Sequence, residues 1–199
     1  MKQSLRATLL LSLSLLSTSS LLFAVDLSKA YDMPEASKLV EDDAFPDKKV
    51  YPLPKSCKLD EKDSIERGAY IFHNLNGERA PKPAPKGLEN FSEIKNEKGK
   101  VEKIPKQYGN CVACHNIEGA IGGGNIGPSL LEYKKIFIDS KTRDAAFVYQ
   151  KIADPRVDNA QTNMTINLTT KLFDEGEICD LTAYVLSEKE EKKDSEKKK

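Results

Sequence analysis

Cys111, Cys114 and His115, with Val112 and Ala113 between the thiols, spell C-x-x-C-H. Two cysteines at that spacing reach the two vinyl groups on one porphyrin edge, and the adjacent histidine is then delivered to one face of the iron. The chemistry implied is covalent attachment of a c-type haem by two thioether bonds. Two other uses of the same thiols are a redox dithiol and half of a zinc site. The first needs a preceding strand and a helix opening on the motif, the second a further Cys pair, and the sequence offers neither.

Haem iron has two axial positions, so the occupant of the second one decides what the site does. Beyond His115 the candidates are His73, Met33, Met164, Cys57 and Cys179. On a helix His73 is rotated about 100° from the Phe72 direction, which reads as a surface histidine. Met33 lies in a polar, proline-punctuated arm. Met164 lies in Asn159 to Thr170, a segment of threonines and asparagines where core packing does not account for a lone methionine. Met164 is therefore the expected sixth ligand. A histidine with a methionine closes the iron and favours its ferrous form, which suits electron transfer.

The compartment must also permit the chemistry, because c-type haem is attached outside the cytoplasm. Lys2 and Arg6 precede the apolar stretch Leu9 to Leu16, which resumes after a serine-rich break at Leu21, Leu22 and Phe23 and ends at Ala24. Residues 1–24 read as a signal peptide for a periplasmic protein, with an uncleaved anchor as the weaker alternative. Without them 29 basic and 31 acidic side chains remain. Such near-neutrality gives no reason to expect a nucleic-acid partner. In an oxidising compartment Cys57 and Cys179 are a reasonable disulfide pair; two unpaired thiols, or one bonded to a partner subunit, are the alternatives.

The elements that position these groups read as mainly helical. Residues 25–61 form an N-terminal arm marked by Pro34, Pro46, Pro52 and Pro54, with a partner surface as a natural resting place. The domain proper covers 62–187. Its first helix is predicted from Asp63 to Leu75, capped by Asp63 with Glu66 at the box position, and has Ile65, Gly68, Ala69, Phe72 and Leu75 at helical spacing. Residues 77–107, with four prolines, read as an inserted surface loop. Gly122, Gly123, Gly124 and Gly127 before Pro128 allow close backbone approach to a porphyrin; a phosphate cradle would need a Gly-Lys-Ser/Thr that is absent. Further helices are predicted from Thr142 to Asp154 and from Asp174 to Ser187, the latter started by Asp174 and Glu177. Residues 188–199 form a charged, disordered tail. No strand-like alternation stands out, so the fold class is all-α.

The order of parts, a glycine-bearing helix, C-x-x-C-H, Gly-Pro, a methionine and a final helix with an aromatic residue, resembles class I cytochrome c. That resemblance implies that the first and last helices cross, with Gly68 and Phe72 against Leu181 and Tyr184, and that the Pro128 carbonyl accepts the ring N–H of His115. Four segments, Gly109-Asn110-Cys111-Val112-Ala113-Cys114-His115, Gly124-Asn125-Ile126-Gly127-Pro128, Asp154-Pro155-Arg156 ahead of Met164, and Glu177-Ile178 to Ala183-Tyr184, are similar to the SoxX family. These are the monohaem subunits of SoxAX cytochromes in bacterial thiosulfate oxidation. Ala160 and Thr165 stand where that family commonly has prolines.

The resemblance implies one haem c, no catalytic residue in this chain, and a SoxA-type dihaem or monohaem cytochrome subunit as partner. Through the complex it would serve the SoxYZ carrier protein, and a downstream cytochrome c would accept the electrons. SoxA would be the catalytic part of the L-cysteine S-thiosulfotransferase. The other functions open to the sequence are a free-standing electron-carrier cytochrome and a haem enzyme or sensor with a labile distal ligand.

Overall fold

The apolar spacing that begins at Ile65 produces helix α1, Lys62–His73, in the computed structural model, which describes residues 46–189. It starts one residue before the expected point and stops two residues before it. Glu61 occupies the cap without a side-chain hydrogen bond, so the predicted Asp63 cap is not made; Asp63 instead places its charge in the first turn. Leu75, expected on the apolar stripe, falls beyond the helix and is exposed. The helix ends where its carbonyls find other donors. Backbone N–H groups of Gly109, Tyr108 and Asn110 donate to the oxygens of Ile71 (3.1 Å), Leu75 (2.9 Å) and Asn74 (2.9 Å), satisfying acceptors a helix end leaves open.

The segment 77–107 corrects the all-α expectation. It contains an antiparallel hairpin, β1 Phe91–Lys95 and β2 Val101–Pro105, registered Phe91 opposite Pro105 and Lys95 opposite Val101. Its base is fastened to the domain. Gly77 N–H donates to Lys106 O (2.8 Å), Lys106 N–H to Asn90 O (2.9 Å), and Tyr70 and Tyr108 hydroxyls both donate to Asn90 Oδ1. A Cβ at Gly77 would meet Asn90 Cα at 2.6 Å, which is why glycine stands at that joint.

Helix α2, Ala145–Ala153, begins at Asp144, whose carboxylate accepts from Phe147 N–H (2.8 Å). The predicted start at Thr142 is too early because Asp144 is the better cap. Helix α3, Glu175–Leu186, carries the reciprocal capping box expected of Asp174 and Glu177, with N–H to carboxylate distances of 2.8 and 3.1 Å.

Gly68 is where α1 crosses α3: a Cβ there would lie 2.6 Å from the Asp180 carbonyl carbon and 2.8 Å from Tyr184 Cβ. Phe72 and Tyr184 rings meet edge to face, 5.4 Å apart. Ile71, Tyr149, Phe173, Ile178 and Leu181 fill the buried core behind this crossing. Asp180, not Leu181, faces the notch. Its buried carboxylate takes Ser64 Oγ, Arg67 Nε (2.6 Å) and Arg67 Nη2 (2.8 Å), so polar groups lock the crossing from the side. Cys57 and Cys179 are joined as a disulfide that ties the chain ahead of α1 to α3.

The described part of the arm lies on its own domain. Tyr51 N–H donates to Gln150 Oε1 (2.6 Å), Gln150 Nε2 to Lys49 O (3.1 Å), and Arg156 Nη1 to Pro46 O (2.7 Å). Of the tail, Glu188 pairs with Lys134 (2.7 Å) and Lys189 lies over the Tyr184 ring. The signal segment 1–24, the arm through residue 45 with Met33, and residues 190–199 lie outside the described residues.

Candidate haem site

Asn110 sets up the motif: its left-handed backbone (φ 43°) turns the chain from the α1 contact into a 3-10 turn, Cys111–Ala113. An asparagine tolerates that conformation better than most residues. His115 N–H closes the turn on Cys111 O (2.9 Å). Both thiols are unpaired, in contrast to Cys57 and Cys179. The Cys111 sulfur lies inward against Gly109, where a Cβ would approach it to 2.6 Å. Burial pushes the Cys111 thiol up to about 12. A redox dithiol needs a stabilised thiolate, so this environment disfavours that use. Among the described residues no group of three or more His, Cys, Asp or Glu side chains is placed to hold a metal ion.

The glycine run packs on the motif itself. Gly124 N–H donates to Val112 O (2.8 Å), Gly127 N–H to Cys114 O (2.9 Å), and Leu130 N–H to Asn116 O (2.8 Å). A Cβ at Gly124 would meet the Ala113 carbonyl carbon at 2.6 Å and Cys114 Cα at 2.9 Å. At Gly127 one would lie 2.7 Å from His115 Nδ1 and 2.9 Å from Nε2, so this glycine backs the imidazole ring.

His115 Nδ1 is 2.8 Å from Pro128 O. A carbonyl only accepts, so Nδ1 carries the proton and Nε2 keeps the lone pair that a metal takes. Two free thiols, an oriented imidazole with an open Nε2 and a side-chain-free cradle together fit a covalently held haem. Ile121 and Ile126 on the same loop are 96% and 74% exposed, leaving an apolar rim beside the motif.

Residues 101–189 match the family model of cytochrome c. That segment is similar to cytochrome c domains. It carries covalently attached haem c, and its work is electron transfer. The match begins in β2 and leaves α1 outside, although the α1–α3 crossing packs α1 onto the matched segment. No curated protein matches the chain significantly.

Met164 is half-buried on the loop after α2 and packed against the core. Its N–H donates to Thr162 Oγ1 (3.1 Å). Two residues at the base of that loop were not singled out by sequence. Asp154 is 0% exposed, and Arg156 holds its carboxyl down to about 2, helped by Thr169 and Lys49 N–H. Asn167, also buried, donates from Nδ2 to Ile152 O (2.8 Å), and its Oδ1 finds no partner. Of the two, only Asp154 left a sequence trace, in the Asp-Pro-Arg run.

His73 is likewise not a free surface group. Its Nε2 is 2.7 Å from Tyr184 OH, and its pKa is lowered by burial and by nearby Lys189.

Proposed function

We propose that Cys111 and Cys114 carry the thioether links of a single haem c and that His115 Nε2 and Met164 sulfur ligate its iron. The Nδ1–H donation from His115 to Pro128 O carries this reading, because it leaves one ring nitrogen free and fixes the direction in which it points. Haem, when bound, supplies a one-electron iron couple. The chain's residues orient the imidazole, keep side chains out of the cradle through Gly124 and Gly127, and offer a thioether that favours the reduced iron. With His115 and Met164 both holding the iron, the centre would suit electron transfer better than binding of oxygen or peroxide.

The finer reading is the electron-transfer subunit of a periplasmic SoxAX-type complex. Its support is the Gly124-Asn125-Ile126-Gly127-Pro128 run, which clamps the motif, and the Asp154-Pro155-Arg156 segment, which forms the base of the methionine loop. A SoxA-type subunit would join thiosulfate oxidatively to a cysteine of SoxYZ, and this chain would receive the electrons for a downstream cytochrome c.

Affinity purification of the tagged chain from its native source tests the assignment. The expected result is one larger haem-containing partner, and reduction of the pair by thiosulfate only when a thiol-bearing carrier protein is supplied. Recovery solely as a monomer would remove the SoxAX role and leave a free-standing carrier. Ready binding of carbon monoxide by the ferrous protein would instead indicate a labile distal ligand.

A further inference from the structure

Met164 rides on a loop whose outer bonds are local: Thr162 N–H donates to Asn159 O (3.2 Å), and Met164 N–H to Thr162 Oγ1. The loop's fastening to the rest of the domain is at its base. Asn167 and Leu168 N–H groups donate to Ala153 O at 3.1 and 2.9 Å, and Asn159 N–H donates to Pro155 O (3.0 Å). Both ends therefore sit on the C-terminus of α2.

Asp154 stands where these ends meet. Its Oδ2 accepts from Thr169 Oγ1 (2.7 Å), Lys49 N–H (3.2 Å) and Arg156 Nη2 (2.8 Å), and its Oδ1 accepts from Arg156 Nε (2.9 Å). The arm closes over the same point, since Tyr51 OH lies 3.1 Å from Thr169 Oγ1 and Arg156 Nη1 donates to Pro46 O. The disulfide at Cys57 fastens the chain that follows residues 46–51. A strap of backbone is thus bonded across the base of the loop through one buried carboxylate.

We infer that Asp154 is a positioning residue for the sixth iron ligand. It couples residues 46–51 to Thr169 and so holds closed the loop that bears Met164. The inference rests on the proposed ligation by Met164. Opening the loop far enough to release the sulfur breaks bonds to the carboxylate and to Tyr51, and these bonds do not depend on the haem motif. The strap therefore acts on ligand exchange while leaving His115 untouched.

The test is binding of imidazole to the ferric holoprotein, because imidazole enters only when the methionine leaves. Tyr51→Phe removes one hydroxyl and should tighten imidazole binding about fivefold; Asp154→Asn weakens several bonds to a charged acceptor and should tighten it by roughly tenfold or more. In a Met164→Ala background, where no sulfur competes, Tyr51→Phe should change nothing, which separates a positioning role from general loosening. Should Asp154→Asn fail to fold, Tyr51→Phe alone decides.

Unchanged imidazole affinity in the variants, with Met164→Ala losing the ferric sulfur-to-iron charge-transfer band, would overturn the positioning role alone. An effect of Tyr51→Phe that persists in the Met164→Ala background would also overturn it. Retention of the band in Met164→Ala would remove the ligand assignment, and this inference with it.

Discussion

The imidazole of His115 donates from Nδ1 to the carbonyl oxygen of Pro128 across 2.8 Å while Gly127 backs the same ring. One residue thus aims the ring and its neighbour makes room for it. Gly127→Ala should keep the bond partners but force ring and loop apart, since neither the ring nor the backbone can yield freely. Overpacking of this kind costs about 1 to 3 kcal/mol. Haem staining after denaturing electrophoresis should show less covalent holoprotein, and the remainder should melt earlier. Normal haem content with an unchanged melting temperature would contradict the close packing.

The α1–α3 crossing makes a second prediction. Asp180 is buried and its partner Arg67 is 23% exposed along its side chain, with Ser64 donating to the same carboxylate. Removing one partner of a buried pair typically costs about 3 to 5 kcal/mol. Arg67 can recover some hydration, so Asp180→Ala should lie near the lower end. Urea unfolding measures it, and a loss below about 1 kcal/mol would mean that Arg67 and Ser64 find water instead.

A third concerns the disulfide between Cys57 and Cys179, which are separated by 122 residues. In the chain-entropy account a loop of that length is worth roughly 4 to 5 kcal/mol. The double variant Cys57→Ser with Cys179→Ser should lose about that much and become insensitive to added reductant. Equal stability of the wild type with and without reductant, after thiol counting confirms reduction, would show that the tie contributes little.

The chemistry of the site was legible because it is written in local spacing. Cys111, Cys114 and His115 are neighbours in sequence, and Asp174 with Glu177 announces the start of α3 in the same way. What was not legible is made by groups distant in sequence. The hairpin shows no apolar alternation because both faces of Phe91–Pro105 carry charges, among them Glu93 opposite Lys103, and much of it is exposed. Asp180 looks like any polar residue on a helix until Arg67 and Ser64 arrive from α1. His73 reads as a surface residue from its rotation off Phe72, but Tyr184 comes from another helix to meet both rings. The arm docks largely through backbone atoms of Pro46, Lys49 and Tyr51, which leave no trace in side-chain pattern.

Two groups give stability a predictable pH dependence. His73 has a lowered pKa because burial disfavours its cation and Lys189 repels it. The unfolded chain therefore binds this proton first, and stability should begin to fall as pH drops below about 6.5. Asp154 works lower. Its carboxyl titrates at about 2 in the fold against 3.8 ordinarily, so its contribution is whole above the ordinary value and is lost as pH falls through about 2. The difference is worth roughly 2 kcal/mol. His73→Gln should flatten the upper limb of a stability profile and leave the lower one, whereas Asp154→Asn should do the reverse. With His115 on the iron, as proposed above, His73 is the chain's one remaining titratable imidazole, so an upper limb that survives His73→Gln would have to come from a group other than histidine.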